Sequence, residues 1–248
     1  MNARRLGFSL FTLAMVAVLI GLGFWQLQRR AEKHALIAAL DERLAAPPVP
    51  LQDTFRSARE RELFRQGVEF RRVTFTATYA RLPDAMVYSS GSAVRDDISG
   101  PGTWAFVPAK LPTGATLVIN AGFVQNTMQD RAMEDRAVAR LVTDQPVPLT
   151  GYIRFPENAG LLTPAPNVDK RLWFNRDHQA MADKLGWGVV MPFYIDLETP
   201  VPPSGVPKPG PLHVRLKDDH LQYAVTWFGL AAVMTIAFGV WLRAQWRG

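Results

Sequence analysis

No cysteine occurs anywhere in the 248 residues, and that absence removes disulfides, thiolate metal sites and cysteine nucleophiles together. A copper carrier built on cysteine thiolates is excluded. Histidine is scarce: the four are His34, His178, His213 and His220, with no metal-ligand spacing among them. His178 falls in a polar helical stretch, NRDHQ, and reads as a solvated side chain. There is no P-loop, no HExxH and no GxSxG. GLGFWQ, from Gly21, imitates part of a dinucleotide fingerprint but lies in an apolar run and lacks the third glycine. No acid, base and nucleophile cluster in the sequence, so no enzymatic reaction is expected. Long runs of one charge are missing too: the formal net charge is +6, but bases and acids interleave along the whole chain, which argues against a nucleic-acid partner.

What is present in excess is apolar sequence, 48% of residues against 20% charged. The surplus is concentrated. Leu6 to Gln28 and Leu221 to Leu242 contain no charged side chain, and about 20 apolar residues suffice to cross a hydrocarbon core. The first run follows Arg4 and Arg5 as a signal peptide would. It is, however, longer than the roughly 7 to 15 residues of a secretory h-region, and its end, GFWQLQRR, has no small-x-small cleavage site. It reads as an uncleaved anchor, and the second run reads as a second span rather than a buried core helix.

Orientation follows from Lys and Arg near the span ends, which are retained in the cytoplasm. Arg243 and Arg247 follow the second span with no acid, whereas Lys217, Asp218, Asp219 and His220 precede it. The C-terminus is therefore assigned inside, and the N-terminus with it, in agreement with Arg4 and Arg5. Arg29, Arg30 and Lys33 dissent, but a connection of about 190 residues translocates largely regardless of charge.

Beyond the first span, Leu36, Ile37, Leu40 and Leu44 recur at helical spacing up to Pro47 and Pro48, where a helix must stop. At Arg72 the period becomes two: Val73, Phe75, Ala77 and Tyr79 alternate with Arg72, Thr74, Thr76 and Thr78, the pattern of a half-buried strand. Ala85 to Ser90 is expected to return as its hairpin partner. Further strands are expected at Trp104 to Pro108, Ala115 to Val124, Val147 to Phe155 and Val189 to Leu197, with a helix over Arg176 to Leu185 ending at Gly186. Pro200 to Pro211, VPPSGVPKPGP in its core, reads as an unfolded tether. The resulting fold class is a membrane protein of α+β type, two transmembrane helices flanking a β-rich extracytoplasmic domain, either a small barrel or a sandwich. Its segments are 1–5 (cytoplasmic), 6–28 (first span), 29–46 (helical extension), 47–199 (β-rich domain), 200–219 (tether), 220–242 (second span) and 243–248 (cytoplasmic tail).

One constellation stands out at the outer mouth of the second span. On a helix, His220, Tyr223, Ala224, Trp227 and Ala231 lie near one face, so an imidazole sits over an aromatic and small-residue stripe. Trp25, Arg29 and Arg30 close the first span on the same side. A belt of interfacial aromatics accounts for Trp25 and Tyr223 without any function, and that reading stays open beside a binding site.

Several segments resemble the surfeit-locus family, which assists assembly of cytochrome c oxidase. LGFWQLQRRAEKHALI is similar to the family's Gly-x-Trp-Gln entry to the domain; GPGTWAFVPAKLPTGATLVINAGFVQ to its pair of strands around a Gly turn; GYIRFPENAGLLTPAPNVDKRLWFNRDHQAMA to its Gly-x-x-Arg and Trp-x-x-Arg-Asp segments; and DDHLQYAVTWFGLA to its Asn-His-Leu-Gln-Tyr-Ala-x-Thr-Trp. Two departures stand out: Ala121 and Phe123 replace the Arg and Trp of an Arg-Gly-Trp-Val-Pro motif, and Asp219 replaces an Asn. The resemblance implies a bacterial inner-membrane, multi-pass assembly factor, surrounded by lipid and partnered with the catalytic subunit of a haem-copper oxidase. It also implies transient binding of haem a. His220 would be the ligand to haem iron through Nε2, with Ala224, Trp227 and Ala231 as wall, Tyr223 as a hydrogen-bonding neighbour, Trp25 nearby, and Arg29, Arg30 or Lys217 meeting the propionates. Asp218 and Asp219 would oppose this by favouring a protonated imidazole. Two alternatives are a scaffold that stabilises an oxidase intermediate without ligating haem, and an unrecognised enzyme or solute-binding module.

The topology is directly testable. Alkaline phosphatase fused within the domain should be active in a bacterial host, and the same reporter fused after Gly248 inactive; an active Gly248 fusion would reverse the assignment.

Overall fold

The computed structural model describes residues 3–55, 67–92, 95–125, 131–213 and 218–246. In chain order its elements are α1 (Ala3–Ala45), β1 (Val49–Pro50), a 3-10 turn (Leu51–Phe55), β2 (Arg72–Tyr79), β3 (Ala85–Ser89), β4 (Gly102–Lys110), β5 (Thr116–Gln125), α2 (Arg131–Ala139), β6 (Val147–Arg154), β7 (Leu172–Trp173), α3 (His178–Leu185), β8 (Val190–Thr199) and α4 (His220–Trp246). The chain divides into two compact units, Met1–Ala39 with Leu216–Gly248, and Leu40–Arg215.

The first unit is a helix pair. Both α1 and α4 are long and apolar enough to cross a membrane. At 1.5 Å per residue the 43 residues of α1 extend about 65 Å, roughly twice a hydrocarbon core, and the helix stops where Pro47 and Pro48 forbid another turn. Thr12, Leu19, Gly23 and Gln26 form its buried stripe, and Ala224 and Ala231 that of α4. Phe8 meets Trp241, with ring centroids 4.8 Å apart, and Phe24 meets Phe228 edge-on at 5.4 Å, so the helices run antiparallel. A Cβ on Gly23 would fall 2.5 Å from the Phe228 ring; only glycine admits that ring, as small residues do throughout membrane helix seams. The threonines inside the apolar runs are satisfied locally: Thr12, Thr226 and Thr235 donate to carbonyls four residues back.

The second unit is built on one mixed eight-stranded sheet in the order β1-β2-β6-β8-β5-β4-β3-β7. β5 and β8 are parallel, whereas β4 pairs antiparallel with β5 and β6 with β8. The sheet curls until the end of β2 touches β4 over two residue pairs, Thr78 with Lys110 and Tyr79 with Ala109. That seam is too short to make a closed barrel, and among the described residues there is no second sheet to make a sandwich. β4 and β5 are buried almost throughout, because α3 and the loops cover one face while the curl covers the other. Their near-continuous apolar runs follow from burial on both faces.

Most expected strands are present within two residues of the expected ends. The pairing of the Ala85 strand differs: β3 lies between β4 and β7 rather than against β2, because its buried residues Ala85, Met86 and Val87 require neighbours on both sides. The two-residue strands β1 and β7 are too short to show any period. α2 was not anticipated either; it seats Val138 against the core with Leu141 and Val142. Helix α3 begins at His178, capped by the Asp177 carboxylate accepting from the Ala180 N–H at 3.0 Å, and ends at Gly186 in the left-handed region (φ 70°).

The proline-rich segment is not a free tether. Lys208 and Phe123 exchange backbone hydrogen bonds of 2.8 and 3.0 Å, and Gly122, at φ 131°, has no Cβ to collide with the Lys208 backbone. The Arg95 guanidinium, 2% exposed, donates to the Pro209 carbonyl at 3.1 Å and to Gly210 at 3.4 Å while gripping Asp97 with two bonds of 2.7 Å. Hydrogen bonds to a charged group contribute about 1.5–3 kcal/mol each, enough to hold a strap that has few backbone donors of its own. Ala121 and Phe123, the two departures from the surfeit-locus motif, are core positions, 0% and 5% exposed.

His178 is a correction of the opposite kind. It is fully buried, with Nε2 donating to the Met191 carbonyl at 2.9 Å and its ring 5.4 Å from that of Tyr194; Nδ1 has no partner. The polar neighbours that suggested solvent, Arg176 and Asp177, turn inward as an ion-pair partner and a helix cap. Burial depresses the pKa of His178 below the usual imidazole range. The unfolded chain takes up a proton near about pH 6.5 that folded His178 resists, so its contribution is complete above that pH and is lost as pH falls. The thermal midpoint of the wild type should therefore drop more between about pH 7.5 and about pH 5.5 than that of His178→Asn, which keeps a donor for Met191 but cannot titrate. Circular dichroism melts of equal slope would count against a neutral buried imidazole.

Candidate functional site

Where α4 begins, backbone and side chains of both helices converge. Asp218 Oδ1 accepts the His220 backbone N–H at 3.1 Å and the Asp219 carbonyl accepts that of Tyr223 at 3.1 Å, satisfying donors that a helix start leaves open. Asp218 Oδ2 lies 2.7 Å from His34 Nε2 and 3.6 Å from Arg30 Nε, both on α1. Desolvation would raise the Asp218 pKa, but the His220 N–H and His34 outweigh it and hold the carboxyl below its usual range.

The His220 ring turns away from these acids. Its Nδ1 lies 2.7 Å from Gln26 Oε1 on the buried stripe of α1. An amide oxygen only accepts, so Nδ1 is the donor in this contact, and in the neutral ring Nε2 is then the nitrogen with the lone pair. The Asp218 carboxylate binds His34, Arg30 and the backbone N–H of His220, and its charge still acts on the His220 ring.

The other expected residues divide. Arg30 joins the network through Asp218, whereas Arg29 pairs with Glu32 at 2.8 Å on the exposed surface of α1. Trp25 and Tyr223 are 52% and 54% exposed, so Tyr223 leaves the stripe it was expected to share with Ala224. Ala224 and Ala231 are buried in the helix pair and offer no open wall, because small residues are what lets helices close together. Trp227 is half-buried, its Nε1 without a partner. Lys217 and Arg247 lie outside the described residues. Gln26 and His34 were missed. Gln26 had a signal: a polar side chain three residues after Gly23 on the stripe that includes Thr12 and Leu19, where an amide inside an apolar run needs a partner. His34 had none.

Chemically the mouth offers an imidazole held by a hydrogen bond at Nδ1, two exposed aromatic rings and two guanidiniums, Arg29 paired with the exposed Glu32 and Arg30 with the largely covered Asp218. Among the described residues no group of three His, Asp or Glu could hold a bare metal ion. The set does fit a planar, anionic iron macrocycle that needs one axial nitrogen.

A sequence profile of the SURF1 family matches residues 13–232. Surfeit locus protein 1 of Rattus norvegicus is 31% identical over 243 residues, covering 94% of this chain and 74% of its own length; that of Homo sapiens is 31% identical over 239 residues, covering 92% and 74%. A SURF1-like protein of Rickettsia bellii is 24% identical over 242 residues, covering 95% and 91%.

Replacing Gln26 by Leu should release the imidazole from a single tautomer. In the ring-nitrogen NMR spectrum of the full chain in micelles, the Nδ1–H form of His220 should dominate in the wild type and lose that dominance in Gln26→Leu; an unchanged ratio would show that Gln26 does not set it.

Proposed function

The chain belongs to the SURF1 family of cytochrome c oxidase assembly factors, and on that premise we propose that it holds haem at the mouth of its helix pair on the way to the catalytic subunit of a haem-copper oxidase. The observation that carries this reading is the Nδ1 contact from His220 to Gln26 at 2.7 Å. With Nδ1 as donor, Nε2 is the ring nitrogen that would meet iron, and the contact orients the ring as hydrogen-bond partners of ligating histidines do. Trp25 and Tyr223 supply exposed aromatic surface beside it, and Arg29 can exchange the exposed Glu32 for a propionate at little loss, since exposed ion pairs contribute about 0–1 kcal/mol; Arg30, 3.6 Å from Asp218, is a second cation at the same mouth. Bound haem a would be the cargo, and no reaction of the chain itself is needed. The setting that suits this role is a bacterial inner membrane with both termini cytoplasmic and the sheet unit periplasmic, supported by Arg4, Arg5 and Arg243 beside the two spans.

The second reading, a scaffold that holds an oxidase intermediate without haem, draws on the burial of Ala224 and Ala231, which leaves no preformed wall in the helix pair. His220→Ala, at normal levels in the membrane, separates the two. The haem copurifying with the chain should fall roughly tenfold or more, with loss of its Soret band. An unchanged haem spectrum together with lost oxidase assembly would replace the haem reading with the scaffold.

A further inference from the structure

Two arginines from the Gly-x-x-Arg and Trp-x-x-Arg-Asp segments, Arg154 at the end of β6 and Arg176 ahead of α3, converge on one carboxylate of β8. Asp196 is 4% exposed. Its Oδ2 accepts from Arg154 Nη1 at 3.0 Å and its Oδ1 from Asn120 Nδ2 at 2.6 Å, which leaves Arg176 Nη1 at 3.7 Å.

Arg176 is the unusual member. Its side chain is only 12% exposed, yet its nearest carboxylate oxygens stand at 3.7 and 3.9 Å, beyond a good hydrogen bond. The guanidinium stacks over the Trp104 ring at 4.9 Å, and the Trp104 indole N–H is itself buried without an acceptor, while Arg154 Nε faces Glu69 Oε1 at 3.5 Å, beyond a good hydrogen bond. Buried donors are normally paired. Here Arg154, Arg176 and Trp104 line one open cavity of about 260 Å³, which Tyr88 and Phe174 also line. Those two rings have centroids 6.3 Å apart.

The charges point the same way. Two largely buried guanidiniums face one buried carboxylate. The other two acids, Glu69 at 3.5 Å from Arg154 and Glu157 at 3.9 Å from Arg176, are 36% and 48% exposed, where solvent screens them. Among the described residues one positive charge is left without a buried counterpart, a costly arrangement unless an anion completes it. A single negative charge balances it, whereas a phosphate dianion would overshoot.

We propose that this cavity binds a carboxylate borne on an apolar or aromatic stem, the carboxylate taking the open donors of Arg176, Arg154 and Trp104 and the stem lying along Tyr88 and Phe174. Glu157, whose Oε2 also accepts the Arg176 backbone N–H at 3.3 Å, is the resident competitor. The carboxylate is either that of a free small acid or the C-terminus of a peptide.

Calorimetric titration of the full chain in micelles tests this with 3-phenylpropionate, 3-phenylpropionamide, inorganic phosphate, and a hexapeptide ending in Phe as free acid and as amide. Both acids should bind, and each amide roughly tenfold more weakly or not at all. Arg176→Gln should weaken the acids by a similar factor, and Glu157→Gln should tighten them a few-fold. A hexapeptide acid bound about tenfold tighter than phenylpropionate identifies a peptide source, and comparable affinities a small acid; either supports the proposal. No saturable binding of the acids, equal binding of acid and amide, or phosphate preferred over carboxylate would overturn it. So would affinities untouched by Arg176→Gln. If Arg176→Gln does not fold, as read by circular dichroism, Glu157→Gln decides, and unchanged or weaker acid binding in that variant overturns the proposal.

Discussion

Gln26 is an amide buried in an apolar helix, and it has one acceptor-to-ring contact, 2.7 Å to His220 Nδ1. Leaving a buried polar group unpaired costs about 1–3 kcal/mol, so the contact is close to obligatory once α1 and α4 pack. It sets the register of the helix pair at the mouth, as Gly23 against Phe228 and Phe8 against Trp241 set it further along. It also sets the chemistry. The same bond that satisfies Gln26 orients the His220 ring, so helix packing and the placement of the imidazole have one cause. The Asp218 pairs around it are partly exposed and order the mouth more than they stabilise it.

The sheet unit follows a different rule. Three large apolar clusters around β4, β5 and β8 and a smaller one of Leu44, Tyr152 and Leu212 fill it, and its interior also admits charge, provided each charge is answered. Arg95 is answered by Asp97 and two strap carbonyls, and Asp196 by Arg154 and Asn120. Arg176 is the exception, and it faces a cavity rather than the core. The strap shows why these groups are buried: a proline-rich segment has few backbone donors, so its carbonyls need donors from side chains, and Arg95 supplies them from beneath.

Membership of the family and the two readings of function bear on different parts of the chain. The helix pair holds the imidazole, the aromatic surface and the cations that haem would use. The described residues of the sheet unit hold no such set; the cavity at Arg154, Arg176 and Trp104 suits a small anion on a stem. An assembly factor with a separate recognition pocket could identify what it assists independently of what it carries.

The amino-acid sequence by itself determined the two helices long and apolar enough to cross a membrane, the long α1 ending ahead of Pro47, the strands from Arg72 to Tyr79 and in β4, β5, β6 and β8, the capped helix before Gly186, and His220 at the start of α4. Each of these is local: twenty apolar residues, a period of two, a proline, a cap. Only the tertiary structure decided which strands pair, that the proline strap is docked, and that His178 is buried while Tyr223 is not. It also decided that Ala224 and Ala231 serve the helix seam, that Gln26 holds the His220 ring, and that Arg154 and Arg176 meet at Asp196. These depend on residues far apart in the chain, Gln26 with His220 and Asn120 with Asp196 among them. A polar side chain shows no local sign of whether water or a distant partner will satisfy it, because only its burial makes the difference.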